Sequence, residues 1–277
     1  MSEEIKQGKL YLCATPIGNL EDITYRVVRI LKEVDIIGAE DTRNSVKLLN
    51  HFEIKTPMTS YHEFNKYDKA KQLVQMMLNG KNVAIITDAG TPGISDPGEE
   101  VVRQCYEAGI EVSSLPGAAA CVTALTMSGQ KTRRFCFEAF LPSDLEELKN
   151  ETRTIVIYEA PHRLVRTLKE LRDALGNRSI TLCRELTKKY EEADKTTIDG
   201  AIEKYNEKEP KGEFVLVIEG KSQEEIKEEK RKQWEDMSIE EHMEYYVNQG
   251  NDKKAAMKLV AKDRGVSKRD VYNTLIK

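Results

Sequence analysis

Five short polar clusters in this sequence combine acidic, basic and hydroxyl side chains, several of them with proline or glycine. They occupy residues 15–19, 40–43, 88–98, 159–163 and 184–187. Each follows an apolar run that predicts a buried strand. Taken alone, each cluster is more typical of a capped turn than of a site, but open α/β sheets bind ligands beyond the carboxyl ends of their strands. We therefore expect the five clusters to lie on one rim of a sheet and to form a cleft.

The segment 88–98, called the 88–98 loop below, has the most unusual composition of the five. Its three glycines permit positive φ and close backbone approach, and its two prolines stiffen the chain. Asp88 and Asp96 add negative charge, which argues against a phosphate ligand. With backbone amides and nearby arginines, the cleft suits a ligand that has one cationic and one anionic centre.

The rest of the chain predicts the elements that position these clusters. Predicted strands at 9–15, 35–39, 58–62, 82–87 and 111–115 alternate with helical patterns, which predicts an α/β domain with a mainly parallel sheet. Asn44 or Ser45 is the expected cap of the second helix. A second α/β segment has predicted strands at 134–140, 154–158, 179–183 and 213–218. We predict domains at 1–117 and 118–221, a charged linker at 222–237 and a helical domain at 238–277.

The last 27 residues are basic within an acidic protein. They contain eight Lys or Arg and three Asp or Glu, a net charge of +5, whereas the whole chain carries −4. Such an asymmetry suggests a polyanionic partner. The pattern fits a helix-turn-helix with Gly265 in the turn and Lys268 and Arg269 at the start of the second helix. A generic helical hairpin shares this pattern.

Several classes of protein are disfavoured by composition and missing motifs. The start of the chain is polar and no apolar run reaches the ~18 residues of a membrane span, so neither a signal peptide nor a membrane protein is expected. The odd, scattered cysteines indicate buried thiols in a reducing cytoplasm, with no metal site. GxGxxG, a complete P-loop and GxSxG are absent from the sequence. His51 and His242 are interpreted as surface residues.

Five motifs, in order along residues 8–220, carry a family resemblance. They are LCATPIGNLEDIT at 12–24, AEDTR at 39–43, DAGTPG at 88–93, YEAPHR at 158–163 and RELTK at 184–188. The first resembles the N-terminal signature of the tetrapyrrole methylase superfamily. The others are similar to its 16S rRNA cytidine 2′-O-methyltransferase subfamily, which also has a helical C-terminal domain.

The resemblance implies a fold, a cofactor and a substrate. The fold is α/β, with two tetrapyrrole-methylase-like domains, the cofactor cleft between them, and a small helix-turn-helix-like C-terminal domain. The cofactor is S-adenosyl-L-methionine, and the protein is a homodimer. The substrate is the ribose of a decoding-centre cytidine, position 1402 of 16S rRNA in the small ribosomal subunit. Implied cofactor contacts are Pro16, Asp88, Ala89, Gly90, Ile94, Asp96, Thr123, Ala124, Tyr158, Glu159, Ala160, Leu186, Gly212 and Glu213.

The implied reaction is an in-line attack of a 2′-hydroxyl on a sulfonium methyl group, in which positioning should supply most of the rate. A general base would add about 10²–10⁴-fold. The candidates are Asp22, Glu40, Asp41 and Asp88, with Glu40 or Asp41 favoured because Arg43 could orient either one. The alternative is a structural Asp41–Arg43 pair that steadies the turn.

The expected RNA contacts are basic residues. They are Arg43, His162, Arg163 and Arg184 near the cleft, and Lys268 and Arg269 as distant phosphate anchors. Some of these arginines are expected to form ion pairs within the protein. Two other functions stay open: a small-molecule (tetrapyrrole or precorrin) methyltransferase of the same fold, and a non-catalytic RNA-binding module.

Overall fold

The first five predicted strands form one parallel sheet in the computed structural model, which describes residues 6–276 apart from the side chains of residues 230 and 233. The strands are β1 (Leu10–Cys13), β2 (Ile36–Ala39), β3 (Met58–Ser60), β4 (Val83–Ile86) and β5 (Val112–Leu115). Their order is β3-β2-β4-β1-β5. Every residue of the central strand β4 is buried, as expected where helices cover both faces. The prediction of a mainly parallel sheet is confirmed.

The helices that connect these strands are amphipathic. They are α1 (Tyr25–Glu33), α2 (Thr42–His51), α3 (Lys66–Leu78) and α4 (Gly98–Glu107). Helices α1 and α2 each begin with a side-chain N-cap. The predicted cap of α2 at Asn44 or Ser45 is wrong. The helix begins earlier, because the side chain of Asp41 accepts a hydrogen bond from the backbone N–H of Arg43 at 2.8 Å. Three residues of the polar cluster at 40–43 therefore serve as cap and first turn of α2.

A second sheet follows, and it is largely antiparallel. Its strands are β6 (Phe135–Phe137), β7 (Thr154–Glu159), β8 (Ser179–Arg184), β9 (Glu192–Thr197) and β10 (Phe214–Ile218), in the order β6-β7-β10-β8-β9. Only the β6–β7 pair is parallel. The helices in this part of the chain are α5 (Ala120–Met127), α6 (Glu146–Lys149), α7 (Leu164–Leu175) and α8 (Ile198–Glu207). Strand β9 and helix α8 were not predicted.

The polar clusters divide between the rims of the two sheets, so the expectation of a single rim is wrong. Residues 15–19, 40–43 and 88–98 follow the parallel strands β1, β2 and β4. Residues 159–163 and 184–187 begin at the last residues of β7 and β8, both of which pair antiparallel with β10 and end opposite Phe214. Equivalent positions along the chain could not reveal this division, because strand pairing depends on the tertiary fold.

The helical C-terminal part is a separate compact unit formed by Glu219–Lys277 with Glu146–Arg153, whereas both sheets belong to the other unit. Its later helices are α9 (Gln223–Gln233), α10 (Ile239–Asn248), α11 (Lys253–Arg264) and α12 (Lys268–Leu275). Their apolar core consists of Met243, Ala256, Val260, Ala261 and Val271. Gly265 adopts φ +65° between α11 and α12, which confirms the predicted pair of helices and its turn. The domain boundaries proposed from the sequence stay a prediction.

His242 lies in the interior of this helical unit, so its interpretation as a surface residue is wrong. The ring is fully buried and stacks on Trp234 with centroids 3.8 Å apart. Its Nδ1 accepts a hydrogen bond of 3.1 Å from Arg264 Nε. Burial, and then the charge of Arg264, lower the pKa of His242, although Asp263 beside Nε2 acts in the opposite direction.

We expect the helical unit to lose stability in mild acid. Because the pKa of His242 is lower in the folded state than its ordinary value of 6.5, its stabilising contribution is complete above that pH and is lost as the pH falls through the folded-state value. Fluorescence of Trp234, the only tryptophan of the chain, should report urea unfolding of this unit at pH 5–8. His242→Phe should flatten the pH dependence. An equal pH dependence in the variant would contradict the assignment.

The five cysteines are free thiols. Four are buried and Cys136 is half-buried, as the sequence interpretation expected. Between residues 6 and 276, no helix has both the length and the apolar character to cross a membrane. The same residues contain no group of three or more His, Cys, Asp or Glu side chains that could hold a metal ion.

Candidate functional site

A cavity of about 310 Å³, called the first cavity, lies between the rims of the two sheets. Its volume is at the lower end of the range typical of small-molecule sites. The loops after the first sheet's strands contribute Ile17, Ala89, Gly90, Thr91 and Ile94, and the start of α5 contributes its N-cap Ala119 and first residue Ala120. The second sheet and its loops contribute Phe140, Tyr158, Glu159, Ala160, Leu186, Lys188, Glu213, Phe214 and Val215. The walls are thus mainly apolar, with charged side chains on the side of the second sheet.

The 88–98 loop is fastened on both sides of the first cavity. Thr15 and Gly90 exchange backbone hydrogen bonds of 2.8 and 3.1 Å, which join the loop to the end of β1. Gly90 makes this contact at φ +92°, a conformation that favours glycine. Thr91 Oγ1 donates to the carbonyl of Ala118 at 2.8 Å. The loop is therefore a preformed wall.

Asp96 braces the 88–98 loop from inside. Its carboxylate accepts hydrogen bonds from the backbone N–H groups of Gly93 and Gly98, both within 2.8 Å. Burial raises the pKa of Asp96, and these two amide bonds act against that shift. Tyr61 supports the same segment by donating to the carbonyl of Pro97 at 2.7 Å. Asp96 is thus a structural residue and does not line the first cavity.

Eight of the fourteen cofactor contacts implied by the resemblance line the first cavity: Ala89, Gly90, Ile94, Tyr158, Glu159, Ala160, Leu186 and Glu213. The other six do not: Pro16, Asp88, Asp96, Thr123, Ala124 and Gly212. Only the start of α5 reaches the cavity. Ala124 is fully buried in the core, and Thr123 Oγ1 donates back to the carbonyl of Ala119 at 3.0 Å. Pro16 and Asp88 line a second cavity next to the first.

Sequence reasoning missed part of the cavity wall, although two signals were present. Ala119 and Ala120 belong to a run of small residues at 116–120 that permits close approach of a ligand. Lys188 is the last residue of the RELTK motif. Phe140, which follows β6, carries no such signal and is found only from the folded chain.

The Tyr158-Glu159 pair shapes the wall rather than offering free polar groups. The Glu159 carboxylate is almost fully buried and accepts hydrogen bonds from Ala160 N and Thr167 Oγ1. Arg163 Nε lies 3.6 Å from it. The Tyr158 hydroxyl accepts a hydrogen bond of 3.1 Å from the backbone N–H of Cys121, and burial raises its pKa. This pair therefore ties the end of β7 to helices α5 and α7.

A charged group stands at the edge of the first cavity. Lys188 Nζ donates to Glu185 at 3.0 Å and to Glu213 at 2.7 Å. Burial alone would lower the pKa of Lys188, but these hydrogen bonds outweigh it and raise the pKa. The side chain of Glu213 is 80% exposed, so its carboxylate remains accessible to a ligand.

The acidic residues at the ends of β2 and β4 have distinct surroundings. Glu40 accepts a hydrogen bond of 2.6 Å from Thr87 Oγ1. Asp41 pairs with Arg43 at 2.8 Å, and these hydrogen bonds lower the pKa of Asp41 to about 2. Asp88 accepts from the backbone N–H of Asp41 at 3.2 Å. The structural Asp41–Arg43 pair is therefore formed, and the expectation that Arg43 orients Glu40 is wrong.

Asp22, the remaining base candidate, lies apart from this group. It ends the short 3-10 helix Leu20–Asp22 and is exposed to solvent. It lines neither the first nor the second cavity. The structure gives no support for a role of Asp22 in proton transfer.

The residues expected to bind RNA divide into paired and exposed groups. Arg184 is 2.9 Å from Glu192, and Arg43 and Arg163 have the acidic partners given above. The expectation that some arginines form internal ion pairs is confirmed. His162 is exposed after β7. Lys268 and Arg269 are exposed in the first turn of α12, as the helix-turn-helix pattern predicted.

Comparisons with known proteins agree with this architecture. The family model described as Tetrapyrrole (Corrin/Porphyrin) Methylases matches residues 9–201. A uroporphyrin-III C-methyltransferase structure from Thermus thermophilus, complexed with S-adenosyl homocysteine, is 21% identical with a TM-score of 0.56. It covers 76% of this chain and 97% of that one. A diphthine synthase structure is 10% identical with a TM-score of 0.61, covering 76% and 90%. These two structures share the fold.

Closer relatives are found among curated protein sequences. The ribosomal RNA small subunit methyltransferase I of Halalkalibacterium halodurans is 48% identical over 274 residues, which cover 96% of this chain and 94% of that protein. The protein of the same name from Bacillus subtilis is 47% identical over 273 residues, with 96% and 93% covered. The chain therefore belongs to the tetrapyrrole methylase family and, within it, to the ribosomal RNA small subunit methyltransferases I.

Proposed function

We propose that this protein methylates the 2′-hydroxyl of a decoding-centre cytidine in 16S rRNA, with S-adenosyl-L-methionine as methyl donor. The observation that carries the proposal is the first cavity, which is built from the predicted cofactor loop and adjoins a cluster of carboxylates. The relatives named as ribosomal RNA methyltransferases support an rRNA substrate. The ribose and the cytidine come from the motif resemblance.

The residues of the first cavity fit the cofactor. Leu186, Phe140 and Val215 offer apolar surface for an adenine ring, and the accessible carboxylate of Glu213 can accept a ribose hydroxyl. The first turn of α5 borders the cavity, and its N-cap Ala119 makes no side-chain cap bond within the described chain. A helix N-terminus of this kind suits the carboxylate of an amino acid. When bound, the cofactor supplies a methyl group activated by a sulfonium.

The carboxylates next to the cavity can hold the proton that the substrate hydroxyl loses. We assign that role to Asp88, which is exposed and lines the second cavity. Glu40 acts behind it, holding Thr87 by the 2.6 Å hydrogen bond. Asp41 is occupied as the cap of α2 and as the partner of Arg43. Its lowered pKa also makes it a weak base.

The wider setting of the reaction follows from the same proposal. His162, Lys268 and Arg269 are exposed cations or potential donors that suit contact with rRNA phosphates. The substrate is the rRNA within the small ribosomal subunit, the protein acts in the cytoplasm as a homodimer, and no metal takes part. The basic α11–α12 segment favours this reading over a precorrin substrate, because a porphyrinoid has no use for a polycation.

Mapping of 2′-O-methyl groups tests the function directly. The purified protein, labelled S-adenosyl-L-methionine and small subunits that lack the modification should give one new 2′-O-methylcytidine, located by mass spectrometry of rRNA fragments. A parallel reaction offers a precorrin as acceptor. Label in the precorrin but not in rRNA would favour the tetrapyrrole alternative. Failure to bind the cofactor in calorimetry would favour a non-catalytic RNA-binding module.

A further inference from the structure

The second cavity, of about 330 Å³, adjoins the first on the side of the parallel sheet. Its walls are the segment after β1, one face of α2 and the end of β4. The lining residues are Thr15, Pro16, Gly18, Leu20, Asn44, Ser45, Lys47, Leu48, His51, Thr87 and Asp88. All of these residues belong to the compact unit that contains both sheets. The motif resemblance counts two of these residues, Pro16 and Asp88, among the cofactor contacts, but it assigns no ligand to Asn44, Lys47 or His51.

Only a thin partition separates the two cavities. The backbone bridge between Thr15 and Gly90 has Thr15 lining the second cavity and Gly90 lining the first. Asp88 and Ala89 are likewise consecutive residues that line different cavities. A group bound in the second cavity is therefore separated from the proposed cofactor by a single layer of backbone. Two reactants held in this way would meet at the bridge.

The chemistry of the second cavity changes from one end to the other. Asn44, Lys47, Leu48 and His51 share one face of α2, because they are spaced three and four residues apart. Lys47 and His51 place nitrogen donors toward the end of that helix. Asp88 provides a carboxylate where α2 begins, and Asn44 Nδ2 donates to it at 3.3 Å. Leu20 and Leu48 add apolar surface between the two ends.

Lys47 differs from the arginines that the sequence analysis favoured. Arg43, Arg163 and Arg184 are engaged by acidic partners, whereas Lys47 is exposed and forms no ion pair among the described residues. An unpaired ammonium at a cavity wall is available for a phosphate group. Because these arginines are already in ion pairs and Lys47 is not, we favour Lys47 as the phosphate contact nearest to the reacting centre.

We propose that the second cavity receives a single nucleotide of the RNA substrate, with its phosphate at Lys47 and His51 and its ribose hydroxyl toward Asp88. The base leaves its stack and contacts Leu20 and Leu48, as in other enzymes that act on an extruded nucleotide. This inference rests on the proposed function. It adds a substrate subsite and assigns Lys47 and His51 as residues that position the RNA.

Steady-state methylation of unmodified small subunits by Lys47 variants tests the subsite. Lys47→Ala should raise KM for the subunit about tenfold and lower the slope of log affinity against log salt by about 0.7–0.9, because one phosphate contact is lost. Lys47→Arg should restore most of the affinity. The Kd for S-adenosyl-L-methionine should stay unchanged. Lys55→Ala is the matched control, since Lys55 is exposed and lies outside the cavity.

His51→Ala provides a second, independent measurement, with an expected rise in KM for the subunit of several-fold. Binding of cytidine 5′-monophosphate, followed by NMR, should also weaken in Lys47→Ala and not in Lys55→Ala. Unchanged KM and salt dependence in both Lys47→Ala and His51→Ala would overturn the subsite. That outcome is distinct from failure of the proposed function, in which the unmodified protein itself transfers no methyl group to rRNA.

Discussion

Replacement of Asp88 by asparagine should lower kcat for rRNA methylation by about 10²–10⁴-fold, the range that a general base contributes. Asparagine keeps the size of the side chain and one acceptor oxygen for the N–H of Asp41, but it cannot take a proton. Asp88 lines the second cavity rather than the first, so the Kd for S-adenosyl-L-methionine should change less than twofold. Single-turnover methylation and calorimetry together measure both quantities.

Two companion variants make this result specific. Asp173→Asn, at an exposed position on α7, controls for the loss of one negative charge and should keep full turnover. Glu40→Gln keeps the size of the side chain and an acceptor oxygen for the Thr87 hydroxyl but cannot take a proton, and a smaller loss of turnover is expected. If Glu40→Gln costs more than Asp88→Asn, the proton goes to Glu40. Near-normal turnover of Asp88→Asn would exclude Asp88 as the base.

The first sheet was predictable because its strands β1, β2 and β4 are apolar runs and the strands alternate with amphipathic helices. The second sheet was predictable only in part. Strand β9, Glu192–Thr197, is polar and alternates between exposed and half-buried positions, so it carries no apolar signal. It is held by pairing with β8 and by Lys204 of α8, which contacts both Glu192 and Asp194. Such long-range partners are invisible to a local pattern.

The site was predictable in its location and less so in its individual side chains. The 88–98 loop forms a cavity wall as its glycines and prolines indicated. Its two aspartates, however, have different roles. The carboxylate of Asp96 accepts hydrogen bonds from backbone amides within the loop. The carboxylate of Asp88 instead accepts one at the start of α2 and lines a separate cavity. Sequence spacing alone could not separate them, because both flank the same turn. Only hydrogen-bond partners distinguish a structural carboxylate from an available one.

The same argument applies to the basic residues. Arg43 stood in a motif and was therefore favoured, yet its guanidinium is committed to Asp41. Lys47, one turn further along α2, belongs to none of the motifs and is available. Arg43 and Lys47 differ in this way because a motif includes residues that only stabilise the structure of a site as well as those that contact a ligand. The free groups must be identified from the contacts.

Filling the first cavity should abolish cofactor binding without unfolding the protein. Ala89 is an exposed loop residue that lines this cavity, and Ala160 lines the opposite wall. Tryptophan at either position would occupy space that the cofactor needs. We expect Ala89→Trp and Ala160→Trp each to raise the Kd for S-adenosyl-L-methionine at least a hundredfold, which corresponds to about 2.7 kcal/mol. Calorimetric titration of each variant measures this change.

Ala193→Trp separates loss of the cavity from a general effect of tryptophan. Ala193 is exposed on the edge strand β9, where an aromatic residue suits the extended backbone, and it lies outside the cavity. This variant should bind S-adenosyl-L-methionine with normal affinity. The thermal unfolding midpoints of all three variants should stay close to that of the unmodified protein. If Ala89→Trp and Ala160→Trp fold normally and still bind the cofactor tightly, the first cavity is not the cofactor site. The assignment of the 88–98 loop as a wall of that site would then also be wrong.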